Sequence, residues 1–107
     1  MEIQFVYMTA GSVDEARSIG RELVESRLAA CVNIIGQVQS MYFWNGRIQD
    51  AIEAVLIAKT TTSRFPELVA RVKATHSYDC PCIVALPVCE GNPDFLDWVG
   101  AQVERTE

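Results

Sequence analysis

One short segment of the chain gathers side chains that bind transition metals. It reads His76-Ser-Tyr-Asp-Cys-Pro-Cys82 and holds the only histidine of the sequence. An imidazole and two thiols are borderline or soft ligands, which suit copper and zinc. We therefore predict a metal site formed by His76, Cys80 and Cys82. In the alternative interpretation, His76 is a hydrogen-bonding residue at a helix terminus and Cys82 is a small strand residue.

A second group of residues predicts a ligand-binding cleft. Glu53 and Lys59 lie six positions apart on one strand-like segment. A charge on an otherwise apolar strand face is costly unless it is paired or hydrated. We predict that Glu53, Lys59, Tyr78 and Trp98 line this cleft. A structural ion pair at a subunit boundary is an equally good interpretation of the two charges.

Other kinds of catalytic or binding site find no support in the sequence. Cys31 lies in an apolar segment without a basic neighbour to activate its thiol. The stretch Thr9-Ala-Gly-Ser12 has one glycine before a helix, which is too little for a phosphate loop. We therefore predict a binding protein that is not an enzyme and requires no cofactor, with a copper or zinc ion as a possible ligand of the thiol site.

Composition limits the class of protein further. A chain of 107 residues, half of them hydrophobic, predicts a single domain over residues 1–107. Nine Lys and Arg against 14 Asp and Glu give a net charge of −5, which argues against a nucleic-acid-binding surface. Neither an apolar stretch of about 20 residues nor a targeting segment is recognisable, so we expect a cytoplasmic protein without a membrane partner. The spacing of the four cysteines favours free thiols.

The segment from Leu28 to Thr60 predicts a long β-hairpin. Two strand-like runs meet at Asn45-Gly46, the dipeptide that favours a type I′ turn. Residues whose numbers sum to 91 should then pair and share a face. One predicted face carries Val32, Ile34, Val38, Tyr42, Trp44, Glu53, Val55, Ile57 and Lys59. The other carries Cys31, Ile35, Met41, Phe43, Ile48, Ile52, Leu56 and Ala58.

Both faces of this hairpin are substantially apolar, so a single copy cannot cover them with its own short helices. Self-association is the expected consequence. Gly36 interrupts the first of the two strands, where we expect a bulge that could shift the preceding residues by one position.

The sequence before the hairpin predicts one strand and one helix. The sequence after it predicts a helix, a strand and a terminal helix. Ile3–Thr9 alternates like a strand, and Ser12 to Glu15 is a capping box for a helix with Ala16, Ile19, Leu23, Val24 and Leu28 on its buried side. A second helix should start near Ser63, with Phe65, Leu68, Val69 and Val72 on its apolar side, and a strand should span Cys82–Val88. Asn92 and Pro93 should start a terminal helix that buries Phe95, Leu96, Val99 and Val103. The order predicts an α+β, ferredoxin-like β-α-β-β-α-β fold: an antiparallel sheet with a long central hairpin and an extra C-terminal helix.

Several motifs along the whole chain resemble those of the CutA family, the divalent-cation-tolerance proteins. They are Leu28-Ala-Ala-Cys-Val-Asn33, Ser40-Met-Tyr-Phe-Trp-Asn-Gly46, Glu53, Lys59-Thr60, His76-Ser-Tyr78, Ala85-Leu-Pro-Val88 and Gly91-Asn-Pro-Asp-Phe-Leu-Asp-Trp98. Two positions depart from the family pattern, because Ser77 replaces a proline and Cys82 replaces a glutamate. The lost carboxylate weakens any site for hard cations, whereas the gained thiol suits Cu(I) or zinc.

The resemblance implies a role in metal-ion tolerance or homeostasis as a homotrimer of ferredoxin-like units, with copper or other divalent cations as ligands. Met41, Phe43, Trp44 and Ile52 are the expected trimer interface. The family shares its architecture with PII-like signalling trimers, so a small effector bound between subunits is an alternative. A trimeric scaffold for another protein is a third interpretation.

Overall fold

The computed structural model describes residues 2–104. Its elements, in chain order, are β1 (Ile3–Ala10), α1 (Val13–Glu25), β2 (Cys31–Trp44), β3 (Arg47–Thr61), α2 (Phe65–Thr75), β4 (Ile83–Pro87) and α3 (Pro93–Gln102). The four strands form one antiparallel sheet in the order β2-β3-β1-β4. The predicted α+β, ferredoxin-like arrangement with a long hairpin and a C-terminal helix is confirmed.

The capping box at the start of α1 forms in a modified way. Ser12 is the N-cap, and its Oγ accepts a hydrogen bond from Glu15 N at 3.1 Å. The Glu15 carboxylate reaches back to Gly11 N, at 3.0 Å, one residue before the cap. Leu28 lies beyond the helix but is buried, whereas Val24 is 38% exposed. The prediction that Val24 belongs to the buried side was wrong, because that side of the last turn is not covered.

The other two helices begin close to the predicted residues. α2 starts at Phe65, two residues after Ser63, with Pro66 in its first turn, where proline removes no helical hydrogen bond. Asn92 caps α3 by accepting a hydrogen bond from the backbone N–H of the second helical residue. Phe95 is 41% exposed, so its predicted burial in α3 was wrong.

Two groups of buried residues hold the helices on the sheet. Leu23 of α1 and Leu68 of α2 pack with Val6, Met8 and Leu56 on one face of the sheet. Burial of each such side chain contributes about 1.5–3 kcal/mol. In a smaller cluster, α3 packs against the N-terminal end of β1 through Val99, Val103, Ile3 and Ala30. Helices α1 and α2 therefore share one face of the sheet.

The outer half of the hairpin has the predicted register. Val38 pairs with Glu53 and Trp44 pairs with Arg47, so the numbers of paired residues sum to 91. At the turn, Asn45 and Gly46 have φ values of 55° and 75°, as a type I′ turn requires.

The register changes between Ile35 and Val38, at the bulge predicted near Gly36. Ile35 pairs with Val55, and Ile34 pairs with Leu56. Because the bulge adds one residue to β2, the earlier part of the strand turns over by one position. The face assignments of Cys31, Val32, Ile34 and Ile35 were therefore wrong: Val32 and Ile34 face the helices, and Cys31 and Ile35 share the Glu53 face.

A single copy leaves apolar side chains exposed on both faces of the sheet. On the face opposite α1 and α2, Val84 and Leu86 are 50% and 56% exposed. On the other face of the outer hairpin, beyond the reach of the helices, four side chains are 61–74% exposed: Met41, Phe43, Ile48 and Ile52. These four residues are called the hairpin patch below. Within residues 2–104, no helix is long and apolar enough to cross a membrane.

Candidate functional site

A groove of about 630 Å³ lies between the outer half of the hairpin and the loop that joins α2 to β4. Its functional side chains come from three places: Tyr42, Trp44, Gln49 and Glu53 from the hairpin, Tyr78, Asp79, Cys80 and Cys82 from the loop, and Thr9 from β1. The volume lies in the range of small-molecule sites. The groove therefore brings together parts of both predicted sites.

Glu53 is the most buried charged residue of the groove, with 6% of its surface exposed. The hydroxyl of Tyr78 donates a 2.7 Å hydrogen bond to Glu53 Oε2. Across residues 2–104, no other group donates to this carboxylate. A buried carboxylate is usually compensated by a positive charge or by several donors. Among the described residues Glu53 has only one neutral donor, so nothing in this part of the chain compensates its charge.

The contact with Glu53 also affects the protonation state of the Tyr78 hydroxyl. Burial, followed by the hydrogen bond to Glu53 and the negative charge of Glu53, raises the pKa of Tyr78. The hydroxyl therefore stays protonated at neutral pH and remains a donor.

His76 lies directly after α2, as predicted, and orients the loop that carries Tyr78. Its Nδ1 accepts a hydrogen bond from Tyr78 N at 3.0 Å, and its Nε2 lies 2.8 Å from Thr9 O. Because Nδ1 is an acceptor, Nε2 carries the proton and donates to Thr9. The imidazole is 1% exposed. Neither ring nitrogen has a free lone pair, so in this conformation His76 cannot bind a metal ion.

Glu15 holds the same loop from α1. Its carboxylate accepts from Ser77 N at 2.8 Å, from Ser77 Oγ at 3.0 Å and from Gly11 N. Although burial acts in the opposite direction, these hydrogen bonds lower the pKa of Glu15. The sequence indicated Glu15 only as a capping residue, and its long-range role was missed because Ser77 lies 62 positions away.

Cys80 and Cys82 are both free and exposed, and both line the groove. Burial of its sulfur, followed by the charge of Glu53, raises the pKa of Cys82, although a hydrogen bond with Thr9 acts in the opposite direction. Among the described residues, no three or more His, Cys, Asp and Glu side chains are arranged to hold a metal ion. The predicted set of His76, Cys80 and Cys82 is therefore not assembled within one chain, because His76 is turned towards Thr9.

Within one chain, the structure brings together only two of the four predicted cleft residues. Glu53 and Tyr78 are in contact, but Lys59 lies six residues further along β3, about 20 Å from Glu53 at strand geometry. The Lys59 amine donates to Asn33 Oδ1 and not to a carboxylate. Trp98 lies on α3, where it stacks on Phe95 with ring centroids 5.7 Å apart. Asn33 was missed as a partner because the predicted faces did not include the one-residue shift at the bulge.

A wider depression of about 940 Å³ lies elsewhere, at the other end of β3. Thr61, Ser63, Arg64 and Glu104 are among its lining residues. None of the predicted metal or cleft residues lies there, and Arg64 is already bonded to Glu67 and to Arg27 O. The groove, and not this depression, therefore holds the candidate chemistry.

The chain matches the family model described as CutA1 divalent ion tolerance protein, over residues 4–102. It belongs to the CutA1 family. The resemblance noted in the sequence is thereby confirmed, and the match spans every element of the fold.

Curated CutA1 relatives and solved structures agree with this assignment. The divalent-cation tolerance protein CutA of Thermus thermophilus is 50% identical over 96 residues, which cover 90% of this chain and 93% of the relative. The solved Thermus thermophilus protein superposes with a TM-score of 0.93 at 47% identity and covers 95% of this chain and 99% of its own. CutA1 of Oryza sativa superposes with a TM-score of 0.95 at 34% identity, over 99% of this chain and 97% of its own.

Proposed function

We propose that this CutA1 family member serves metal-ion tolerance by binding divalent cations or copper in the groove, as a homotrimer and without catalysis. One observation carries the proposal. The buried Glu53 carboxylate, which has no positive partner within residues 2–104, lies in one groove with the free thiols of Cys80 and Cys82. A bound cation would compensate the carboxylate, and thiolates would favour copper or zinc among the available cations.

A second copy would complete the ligand set. Zinc sites in proteins usually have four ligands, and the described lining of the groove offers two thiols and two carboxylates, which are not arranged as a metal site. The exposed hairpin patch and Trp44, which is 51% exposed, support self-association at this end of the molecule. The number three comes from the resemblance of the sequence to the trimeric family.

The two groups of the groove that could transfer protons, the Tyr78 hydroxyl and the Glu53 carboxylate, are in a state that agrees with binding and not with catalysis. The Tyr78 hydroxyl and the Glu53 carboxylate are bonded to each other, not to a nucleophile. The raised pKa of Tyr78 makes its hydroxyl a poor base at neutral pH.

The test is native mass spectrometry of the reduced protein, titrated with Cu(I) or Zn²⁺. We expect trimers that retain metal, with affinity reduced at least about tenfold in the Cys80→Ser/Cys82→Ser double variant. Cys89→Ser is the matched control, because Cys89 is also free and exposed but does not line the groove. Equal metal affinity in the double variant and the wild type would contradict the thiol site.

Effector binding between copies, as in PII-like proteins, is the second candidate function. The volume of the groove favours it, and Lys59 of an adjacent copy could supply the positive charge that an anionic effector needs. A metabolite panel in a thermal-shift assay tests it, with stabilisation expected for the wild type and lost in Lys59→Ala. A trimeric scaffold, the third candidate, would respond neither to metals nor to metabolites.

We also propose a cytoplasmic location. Cys80 and Cys82 must stay reduced to act as ligands, and the cytoplasm maintains free thiols. The solved relative from Archaeoglobus fulgidus is described as periplasmic, so fractionation of cells that express the tagged full chain is the appropriate test.

A further inference from the structure

The groove is also lined by aromatic side chains, which metal binding does not use. Four aromatic residues line it, namely Tyr42, Phe43, Trp44 and Tyr78, and by register Phe43 lies on the hairpin face opposite Glu53. In a single chain, Tyr42 and Trp44, the latter also an expected interface residue, are 43% and 51% exposed, and the register of β2 places them on the same face as Glu53. The faces of aromatic rings attract cations, most strongly in tryptophan.

The charges of the groove also favour a cationic ligand. Glu53 and Asp79 are its two ionisable carboxylates, and no Lys or Arg belongs to the part of the lining that the structure describes. The nearest basic residue by register is Arg47, opposite Trp44 at the exposed turn. The groove is therefore negative, and an anion would meet two carboxylates there.

The burial of Glu53 gives the strongest argument. A carboxylate that is 6% exposed and has a single neutral donor is costly in an empty groove. A cation that combines charge with apolar surface would compensate Glu53 and cover the aromatic rings at the same time. A metal ion would compensate the charge of Glu53 but would not cover the aromatic rings. In addition, the described residues do not assemble a three-ligand metal site.

From these observations we infer that the groove binds a small organic cation of the substituted ammonium class, with Glu53 as the counter-charge and Tyr42, Trp44 and Tyr78 as the aromatic walls. This ligand is distinct from the metal ion proposed above. The inference does not depend on Cys80 or Cys82, so either proposal can fail without the other.

Choline is the probe, and its neutral carbon isostere, with a tert-butyl group in place of the trimethylammonium group, is the matched control ligand. The measurement is quenching of Trp44 fluorescence in a Trp98→Phe background, since these are the only two tryptophans. The buffer contains a chelator, so that metal binding cannot contribute. We expect saturable binding of choline, with affinity at least about tenfold higher than for the isostere.

Two variants test the residues. Glu53→Gln keeps the shape of the side chain but removes the charge, and Trp44→Leu keeps apolar volume but removes the ring. Each should weaken choline binding at least about tenfold, measured by calorimetry so that loss of the fluorophore is immaterial. Glu25→Gln is the control, because Glu25 is exposed on α1 in a surface pair with Arg21, does not line the groove and should not change the affinity.

Three outcomes would overturn the inference. The first is equal affinity for choline and its isostere, which would show an apolar site. The second is unchanged choline affinity in a Glu53→Gln protein whose thermal unfolding shows a native fold. The third is no choline binding by the wild type, with Glu53→Gln dissociating the oligomer, which would show that a basic side chain of a second copy already occupies the groove.

Discussion

The hydroxyl of Tyr78 lies 2.7 Å from Oε2 of Glu53, and this one bond ties the loop after α2 to the middle of β3. Tyr78→Phe removes the only donor that residues 2–104 supply to a carboxylate that is 6% exposed. We expect it to lower the free energy of unfolding by about 1–3 kcal/mol, the cost of an unsatisfied buried acceptor. Urea unfolding at one fixed protein concentration measures the change.

A double-mutant cycle with Glu53→Gln serves as the control for this prediction. The neutral amide is cheaper to leave without a donor, so Tyr78→Phe should cost at least about 1 kcal/mol less in the Glu53→Gln background. If the two substitutions were simply additive, the bond would not be the reason for the loss.

The hairpin patch should hold copies of the chain together. Phe43 is 74% exposed in the single chain, and burial of such a side chain between copies contributes about 1.5–3 kcal/mol. Phe43→Glu would place a charge there and should convert the oligomer into folded monomers, as measured by sedimentation velocity. Val24→Glu on α1 is the control and should leave the oligomer intact. A wild-type chain that is monomeric at micromolar concentration would contradict the prediction.

The negative charge of Glu53 should be detectable in the titration of Cys82. Burial and that charge raise the pKa of Cys82 above its ordinary value of 9.0. Glu53→Gln removes the charge and should move the pH midpoint of Cys82 alkylation to lower pH. Mass spectrometry of the alkylated peptide, in a metal-free Cys80→Ser background, follows this single thiol. An unchanged midpoint would show that Glu53 does not act on Cys82.

Glu15 should make stability depend on acidic pH. Its folded pKa is lowered from the ordinary value of 4.5, so the folded state favours the ionised form. The stabilisation is therefore present above pH 4.5 and is lost as the pH falls through the folded pKa. The Glu15→Gln variant should lose about 1 kcal/mol at neutral pH, a value discounted for partial exposure.

The comparison that isolates this effect is the slope of stability against pH. Below pH 4.5, the wild type should lose stability more steeply than Glu15→Gln, as measured by urea unfolding across the acidic range. Glu25→Gln is the control, because Glu25 is exposed in a surface pair with Arg21 and should barely alter either value.

Most of the fold could be predicted because its signals are local. The Asn45-Gly46 turn sets the outer register of the hairpin, and the bulge near Gly36 followed from a glycine within a strand. What the sequence did not decide was whether this bulge turns the preceding residues over to the other face, since a strand can also bend at a glycine without a change of register. Errors at Val24 and Phe95 have a related cause: apolar spacing shows a face but not whether another element covers it.

The sequence predicted most residues of the candidate site, but it predicted their arrangement only in part. Glu53, Tyr78, Cys80 and Cys82 do line one groove, whereas Lys59 and Trp98 lie elsewhere in the same chain. The spacing of His76 and the two cysteines resembled a metal site, but imidazole orientation depends on long-range hydrogen-bond partners. Thr9, which accepts from His76, is 67 positions away.

The sequence by itself determined the order of the elements, the turn, the caps and the excess of apolar sheet, because each depends on backbone preferences and on residues a few positions apart. Only the tertiary structure decided that His76 binds the backbone and that Glu53 meets a lone hydroxyl. These contacts join residues 67 and 25 positions apart, and burial and hydrogen-bond satisfaction, which no local pattern encodes, select them.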